Sequence, residues 1–401
     1  MFNFDLNRLQ KLTLNVLAIA LLMVLLLTKN PLLKLFASPV KAADVPVSSC
    51  QSNQNVPWLH TDGRWFKDEA DNLVTLRGIS FCGFNDEWGE KVLPDFPNKI
   101  AKVSNGTNGW YPNVLRLPIK DYHLDTFDLE QVYQALQAGV DECVEQKVYC
   151  IIDWHAVDGE EGTEWRSPKS QQRTIDFWRY MAPRFSDYPN VMFELYNEPG
   201  FPKLVTAENW LNWRNTAQPW VDLIREQAPN NIILISSPLW AQIIQFAPEY
   251  PFRGSNLAYV NHTYKGMEES WPREVGLEYD WEQVFGKAAD RVPIFMTEFG
   301  WQADSEWEFG KGTTENFGQP MKEFLNQRPN INWVIWTYDH YCSPRLADKS
   351  DRILGGAKMG VFVRDWLKEE WQKSTNPVKA LCVKSDVSSK GKLERYSRSC
   401  S

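Results

Sequence analysis

The feature that most constrains this chain is a repeating alternation of secondary-structure types. From Trp58 to about Trp371, short runs rich in β-branched and aromatic residues alternate with amphipathic helical stretches, the pattern of repeated βα units. The strand runs are Val74–Phe84, Asn113–Ile119, Val148–His155, Val191–Asn197, Ile232–Ser237, Leu257–Tyr264, Ile294–Gly300 and Trp333–Tyr338. Eight such units in roughly 300 residues predict an α/β fold closed as a single (β/α)8 TIM barrel rather than a doubly wound sheet. No GxGxxG or P-loop follows a strand, which removes the motifs that open sheets use to bind phosphates.

Two helices are legible from their starts. Asp128 with Gln131 forms a capping box ahead of a face carrying Leu129, Val132, Tyr133, Leu136, Val140 and Val144. Thr206 opens a second helix bearing Trp210, Trp213, Ala217, Trp220, Val221 and Ile224, with a kink expected at Pro219. Ahead of the first barrel strand, WLHTDGRWFKDEADNLVTL reads as two hairpin turns, an N-terminal β-hairpin plug for the barrel's base.

The ends of the chain read differently. Arg8 and Lys11 precede the apolar run from Val16 to Leu27, and Val40-Lys41-Ala42 offers a small-residue cleavage site. Residues 1–42 are therefore expected to be a signal peptide, with a membrane anchor at residues 12–28 as the alternative. Either directs the protein out of the cytoplasm, to a secreted, periplasmic or extracellular destination. Residues 43–57 are a polar linker, 58–372 the catalytic domain and 373–401 a polar, basic tail. Seven cysteines at 50, 82, 143, 150, 342, 382 and 400 form no CxxC pair. Export would permit disulfides, with Cys382–Cys400 or a bond from Cys50 conceivable and one thiol left over.

In a (β/α)8 barrel the site lies at the carboxyl ends of the strands. Those ends read Gly83-Phe84-Asn85, Arg116 in LRLP, His155 in DWH, Asn197-Glu198-Pro199, Ser236-Ser-Pro, His262 and Tyr264 in HTY, Glu298 in TEFG, and Trp336. Taken singly, each has a bland reading: a solvated strand-end carboxylate, a structural histidine, a core tryptophan. Their convergence on one mouth would be costly without purpose, because polar groups buried without partners are destabilising. Glu198 and Glu298 end the fourth and seventh strands, across the mouth from each other. Two opposed carboxylates suit glycoside hydrolysis, in which an acid protonates the leaving oxygen and an anion faces the anomeric carbon.

The ordered set Arg116, His155, Asn197, Glu198, His262, Tyr264, Glu298 and Trp336 resembles the signature of glycoside hydrolase family 5, the cellulase family of clan A, over about Trp58 to Trp371. The resemblance implies a retaining double displacement with Glu198 as acid/base and Glu298 as nucleophile. Arg116 and Tyr264 would hold the Glu298 carboxylate ionised. Asn197 would bind the sugar 2-hydroxyl, His155 a neighbouring hydroxyl, His262 would orient the carboxylates, and Trp336 would floor the sugar site. It implies no cofactor and no metal.

Long loops after His155, Tyr264 and Glu298 carry Trp165, Trp271, Trp301 and Trp307, candidates for outer sugar subsites. With 19 Trp, 14 Tyr and 21 Phe, some rings are expected to face a ligand. The formal net charge of −8 argues against nucleic acid, and the acidic loops suit a neutral β-linked polysaccharide. The expected activity is that of an endo-β-1,4-glucanase acting as a monomer, reaching the membrane only through its N-terminal segment. A β-mannanase is the alternative within the family. A metal-dependent barrel hydrolase using His155, His262 and the glutamates, and a non-catalytic carbohydrate-binding protein, are the alternatives outside it. Five histidines with no HxH weigh against the first, and two intact glutamates against the second.

Overall fold

Eight parallel strands close on themselves in the order β10-β11-β4-β5-β6-β7-β8-β9, where β4 is Arg77–Ser80, β5 Val114–Lys120, β6 Tyr149–His155, β7 Val191–Glu194, β8 Ile233–Ile235, β9 Leu257–Tyr264, β10 Ile294–Gly300 and β11 Ile331–Ile335. The computed structural model describes residues 56–83, 92–157, 165–267, 280–305 and 310–375, all within the unit Gln54–Ser401. The expected signal or anchor segment, nearly all of the linker and residues 376–401 of the tail lie outside the described residues. Among those described, no helix is long and apolar enough to cross a membrane.

The helices form for the reasons the sequence suggests. Asp128 accepts from the Gln131 backbone N–H while the Gln131 side chain accepts from the Asp128 N–H, closing the capping box of Leu129–Gln146. Thr206 caps Ala207–Gln227, which carries Pro219 in its interior. Gly78 is required by the close approach of β4 to β5, since a Cβ there would meet the Val114 carbonyl oxygen at 1.8 Å.

Alternation along the strands divides the barrel interior into layers. The lower layer is apolar and includes Val114, Ile151, Met192, Leu234, Ala258, Val260, Phe295 and Val334. Moving two residues along several of these strands reaches Arg116, Asp153, Glu194 and His262, a buried polar layer directly above it. Apolar packing below therefore forces the charged groups upward, toward the open mouth.

The base is closed by a three-stranded antiparallel sheet of β1 Leu59–Asp62, β2 Trp65–Asp68 and β3 Leu73–Val74. Gly63, at φ +56°, makes the tight turn between β1 and β2. Leu59 and Phe66 enter the lower apolar layer, and the Phe66 ring meets Phe295 edge-on at 6.1 Å. The expected plug is therefore present. Phe66→Ala should lower stability by about 3–5 kcal/mol, read as a lower urea midpoint at unchanged slope; an unchanged midpoint would show that the plug does not stabilise the barrel.

Candidate active site

Arg116 organises the polar layer from β5. Its Nε and one terminal nitrogen bind both oxygens of Glu194, at 2.7 and 3.1 Å. That same terminal nitrogen reaches Asn197 Oδ1 at 2.5 Å and Asp153 Oδ2 at 2.9 Å, and the other donates to Glu298 Oε1 at 2.7 Å. The guanidinium is wholly buried, and although burial opposes its charge, Asp153, Glu194 and Glu298 hold its pKa well above the usual arginine value.

Glu298 receives its second donor from β9, where the Tyr264 hydroxyl donates to Oε2 at 2.7 Å. Burial and the adjacent carboxylate push the Tyr264 pKa well up, so it stays a donor. Glu298 owes its orientation to a register shift between β9 and β10. Met296 faces Asn261 and Glu298 faces His262, so Thr297 is one extra residue in β10. The bulge lets two consecutive side chains serve the interior: Thr297 Oγ1 donates to Glu194 Oε1 at 2.8 Å, and Glu298 meets Arg116 and Tyr264.

β7 ends at Glu194, earlier than the Val191–Asn197 run predicted, so Asn197 and Glu198 lie beyond the strand. The chain bends at Asn197 yet stays tied to the segment that continues β6, because Asn197 N–H donates to the Trp154 carbonyl and Glu198 N–H to that of Ala156, both at 3.0 Å. Glu198 Oε1 lies 2.7 Å from His262 Nδ1, while 16% of the Glu198 side chain remains exposed to the mouth. One oxygen of Glu198 and one of Glu298 come within 4.8 Å of each other. Asn197 Oδ1 accepts from Arg116, and its Nδ2 is buried with no hydrogen-bond partner among the described residues.

His155, at the end of β6, has Nδ1 2.6 Å from Asp153 Oδ2 and stacks on Trp336 at 5.4 Å between centroids, 11° from parallel. Burial, with the Lys120 and Arg116 charges, holds its pKa well below the ordinary range, so it is neutral. Trp336 packs on Tyr264, Met267 and the Cys82–Cys342 disulfide, and Lys120 Nζ lies 5.4 Å from its ring centroid.

All eight expected site residues thus meet at one mouth. Two of the four outer tryptophans do not behave as expected. Trp165 is buried against Trp213 and donates from Nε1 to the Phe201 carbonyl. Trp301 is buried against Phe317 and Phe362 and bonds Thr314 Oγ1. Both rings build the wall and offer no face to a sugar; Trp271, Trp307, Phe84 and Asn85 lie outside the described residues. Four cysteines pair as Cys82–Cys342 and Cys143–Cys150, while Cys50, Cys382 and Cys400 lie outside. Sequence reasoning passed over Glu194, Asp153 and Thr297. The available signal was an acid inside each of two apolar strand runs, VMFEL and CIIDW.

Glu198, His262 and Glu298 could in principle close on a cation. Their facing atoms are already engaged with one another, with Tyr264 and with Arg116, whose positive charge opposes a second cation there.

Comparison with known proteins gives these contacts their context. The profile described as "Cellulase (glycosyl hydrolase family 5)" matches residues 67–341. The chain belongs to that family. It is 29% identical over 314 residues to "Endoglucanase C" of Evansella cellulosilytica, covering 70% of this chain and 35% of that protein. It is 26% identical to "Cellulase CelDZ1" of a Thermoanaerobacterium species, covering 70% and 69%. The chain thus spans about a third of the first relative and about two thirds of the second. In structure it is similar to the β-glucanase SdGluc5_26A of Saccharophagus degradans, with a TM-score of 0.66 and 22% identity over 79% of this chain and 94% of that one; at that identity the likeness is one of fold.

Burial alone would lower the pKa of His262, but Glu298, Glu194 and Glu198 outweigh it and raise the value to about 10. The folded family-5 domain therefore holds a proton that the unfolded chain begins to release near 6.5. Its contribution to stability is complete below that pH and is lost as pH rises toward 10. Lys120, lowered by burial to about 8, has the opposite sign above that pH, so the clean window is about 6.5 to 8. Denaturant titrations across this window should show wild type losing more stability than His262→Gln; parallel curves would show that His262 is not held protonated.

Proposed function

We propose that this chain is a retaining endo-β-1,4-glucanase that cleaves soluble, neutral β-glucan. The observation that carries the reading is the close pair of mouth carboxylates, with oxygens within 4.8 Å and different partners on each. Retaining glycosidases place their two carboxyl groups about 5–5.5 Å apart, whereas inverting enzymes leave about 6.5–9.5 Å for a water.

The partners assign the roles. Glu298 has a donor on each oxygen, Arg116 and Tyr264, which aim its carboxylate, as a nucleophile requires. Glu198 is the more exposed carboxyl and, among the described residues, its side chain pairs with His262, which leaves it open to a glycosidic oxygen. In the first step Glu298 bonds to the anomeric carbon as that carbon's bond to the leaving oxygen breaks, and the Glu198 proton passes to that oxygen. In the second, water attacks the same carbon, its proton passes to Glu198, and Glu298 leaves as a carboxylate. The unpaired Asn197 Nδ2 is placed to donate to the sugar 2-hydroxyl, neutral His155 turns Nε2 toward a neighbouring hydroxyl, and Trp336 floors the site.

The substrate class is supported by the family match and by relatives named endoglucanase and cellulase. Export is supported by the apolar N-terminal run and by two disulfides, which persist in oxidising compartments.

The test is hydrolysis of cello-oligosaccharides followed by proton NMR. Wild type should release the β-anomer first. Glu298→Gln should abolish turnover, and Glu198→Gln should lower kcat by about 10²–10⁴-fold on glucan, with a smaller loss on aryl glycosides whose leaving groups need no proton. Release of the α-anomer first would overturn the mechanism, and faster cleavage of β-mannan than of β-glucan would overturn the substrate.

A further inference from the structure

Glu194 is wholly buried and has the same inward parity on β7 as Met192. It touches no solvent, and the proposed chemistry assigns it no step. Yet two hydrogen-bonded arms leave it, one for each mouth carboxylate. One runs through the two-pronged contact to Arg116, which donates to Glu298 Oε1 at 2.7 Å. The other runs through the Thr297 hydroxyl, 2.8 Å from Glu194 Oε1, to His262 Nε2 at 2.9 Å, and from His262 Nδ1 to Glu198 Oε1 at 2.7 Å.

We propose that Glu194 is a positioning residue that joins the two mouth carboxylates into one hydrogen-bonded unit, orienting Glu298 through Arg116 and fixing His262 against Glu198 through Thr297. The direction of the second arm follows from proton counting. Glu194 accepts, so the single Thr297 hydroxyl proton points at it, and the hydroxyl oxygen must then accept from His262 Nε2–H. With Nε2 carrying a proton, a neutral His262 has its lone pair on Nδ1, facing Glu198. A proton on this axis therefore rests either on Glu198 or on Nδ1, and a negative charge at the far end of the chain raises the pair's hold on it.

Other titratable and charged groups stand in the same polar layer: Arg116 and Lys120 come from β5, Asp153 and His155 from β6, Glu198 follows β7, Tyr264 shares β9, and Glu298 comes from β10. Of these, Glu298, Glu198 and His155 act on His262 itself. Glu194 differs from Glu298, which accepts from Arg116 and lies 3.8 Å from His262 Nδ1, in standing at the joint of the two arms rather than at an end of one. Asp153 binds Arg116 and His155.

The kinetic arm of the test rests on the glycosidase reading; the spectroscopic arm does not. In the full chain, Glu194→Gln should lower kcat by about 10²-fold with little change in KM, as a misaligned pair would. Its alkaline pH–rate limb should move down by about one unit or more, since removing a nearby negative charge weakens proton binding. Thr297→Val, which cuts only the second arm, should move the same limb, and Thr297→Ser should restore it. Heteronuclear NMR of the His262 ring needs no turnover, and should show it losing its proton at lower pH in Glu194→Gln and Thr297→Val. Identical His262 titrations in wild type and both variants would overturn the proposal even if the enzyme cleaves glucan. Absence of glucan cleavage by wild type with the NMR shift intact would overturn the substrate reading and leave the proposal standing.

Discussion

A single wholly buried guanidinium is the fixed point of this molecule. An isolated charge inside a protein is strongly destabilising, and a buried ion pair is tolerated only when geometry and hydrogen bonding are nearly complete. Arg116 meets that condition through Glu194, Asp153, Asn197 and Glu298. The demand is one that arginine can fill and lysine cannot, because only a planar fork reaches acceptors on β6, beyond β7 and on β10 together. Every strand that supplies an acceptor must hold its register, so the electrostatics of the centre and the closure of the barrel depend on each other.

The excess of acids around Arg116 also bears on a catalytic cycle. In the proposed double displacement, the negative charge of Glu298 disappears beside the guanidinium as its ester forms. Glu194 and Asp153 remain within hydrogen-bond distance, so Arg116 is never left as an unpaired buried cation. His262 plays the corresponding part across the mouth, with Nδ1 2.7 Å from Glu198 and 3.8 Å from the nearer Glu298 oxygen. Two carboxylates within 4.8 Å repel strongly in a buried site, and a cationic group on each side makes the approach tolerable.

The sequence made the barrel legible because strand composition, helix caps and spacing are local properties. Asp128 with Gln131 and Thr206 read correctly for that reason. The eight mouth residues were legible from short motifs late in the strand runs, LRLP, DWH, NEP, HTY and TEFG, together with Trp336. Glu194, Asp153 and Thr297 were passed over although Glu194 ends β7, Asp153 opens DWH and Thr297 precedes Glu298, because only the inward parity set by Met192, Ile151 and the β10 bulge reveals that they point to the site. Cys82 and Cys342 pair across 260 positions, a distance over which spacing carries no information.

The tryptophan content has a different cause from the one composition suggested. Trp154, Trp165, Trp178, Trp213 and Trp301 are buried, and their indole N–H groups are each spent on an oxygen within the protein. Two of those acceptors matter for the mouth. Trp178 donates to the Leu195 carbonyl and Trp213 to the Ser236 carbonyl, while Ser236 Oγ donates to the Asn197 carbonyl at 2.7 Å. The segment carrying Asn197 and Glu198 has left the regular ladder, so it needs such external tethers to stay in place. Large rings give those tethers rigidity, since they fill the space between strand and helix and hold their polar edge in one position. The aromatic load therefore serves the site mostly from behind, and among the described tryptophans it is Trp336, stacked on His155, that floors the polar mouth itself.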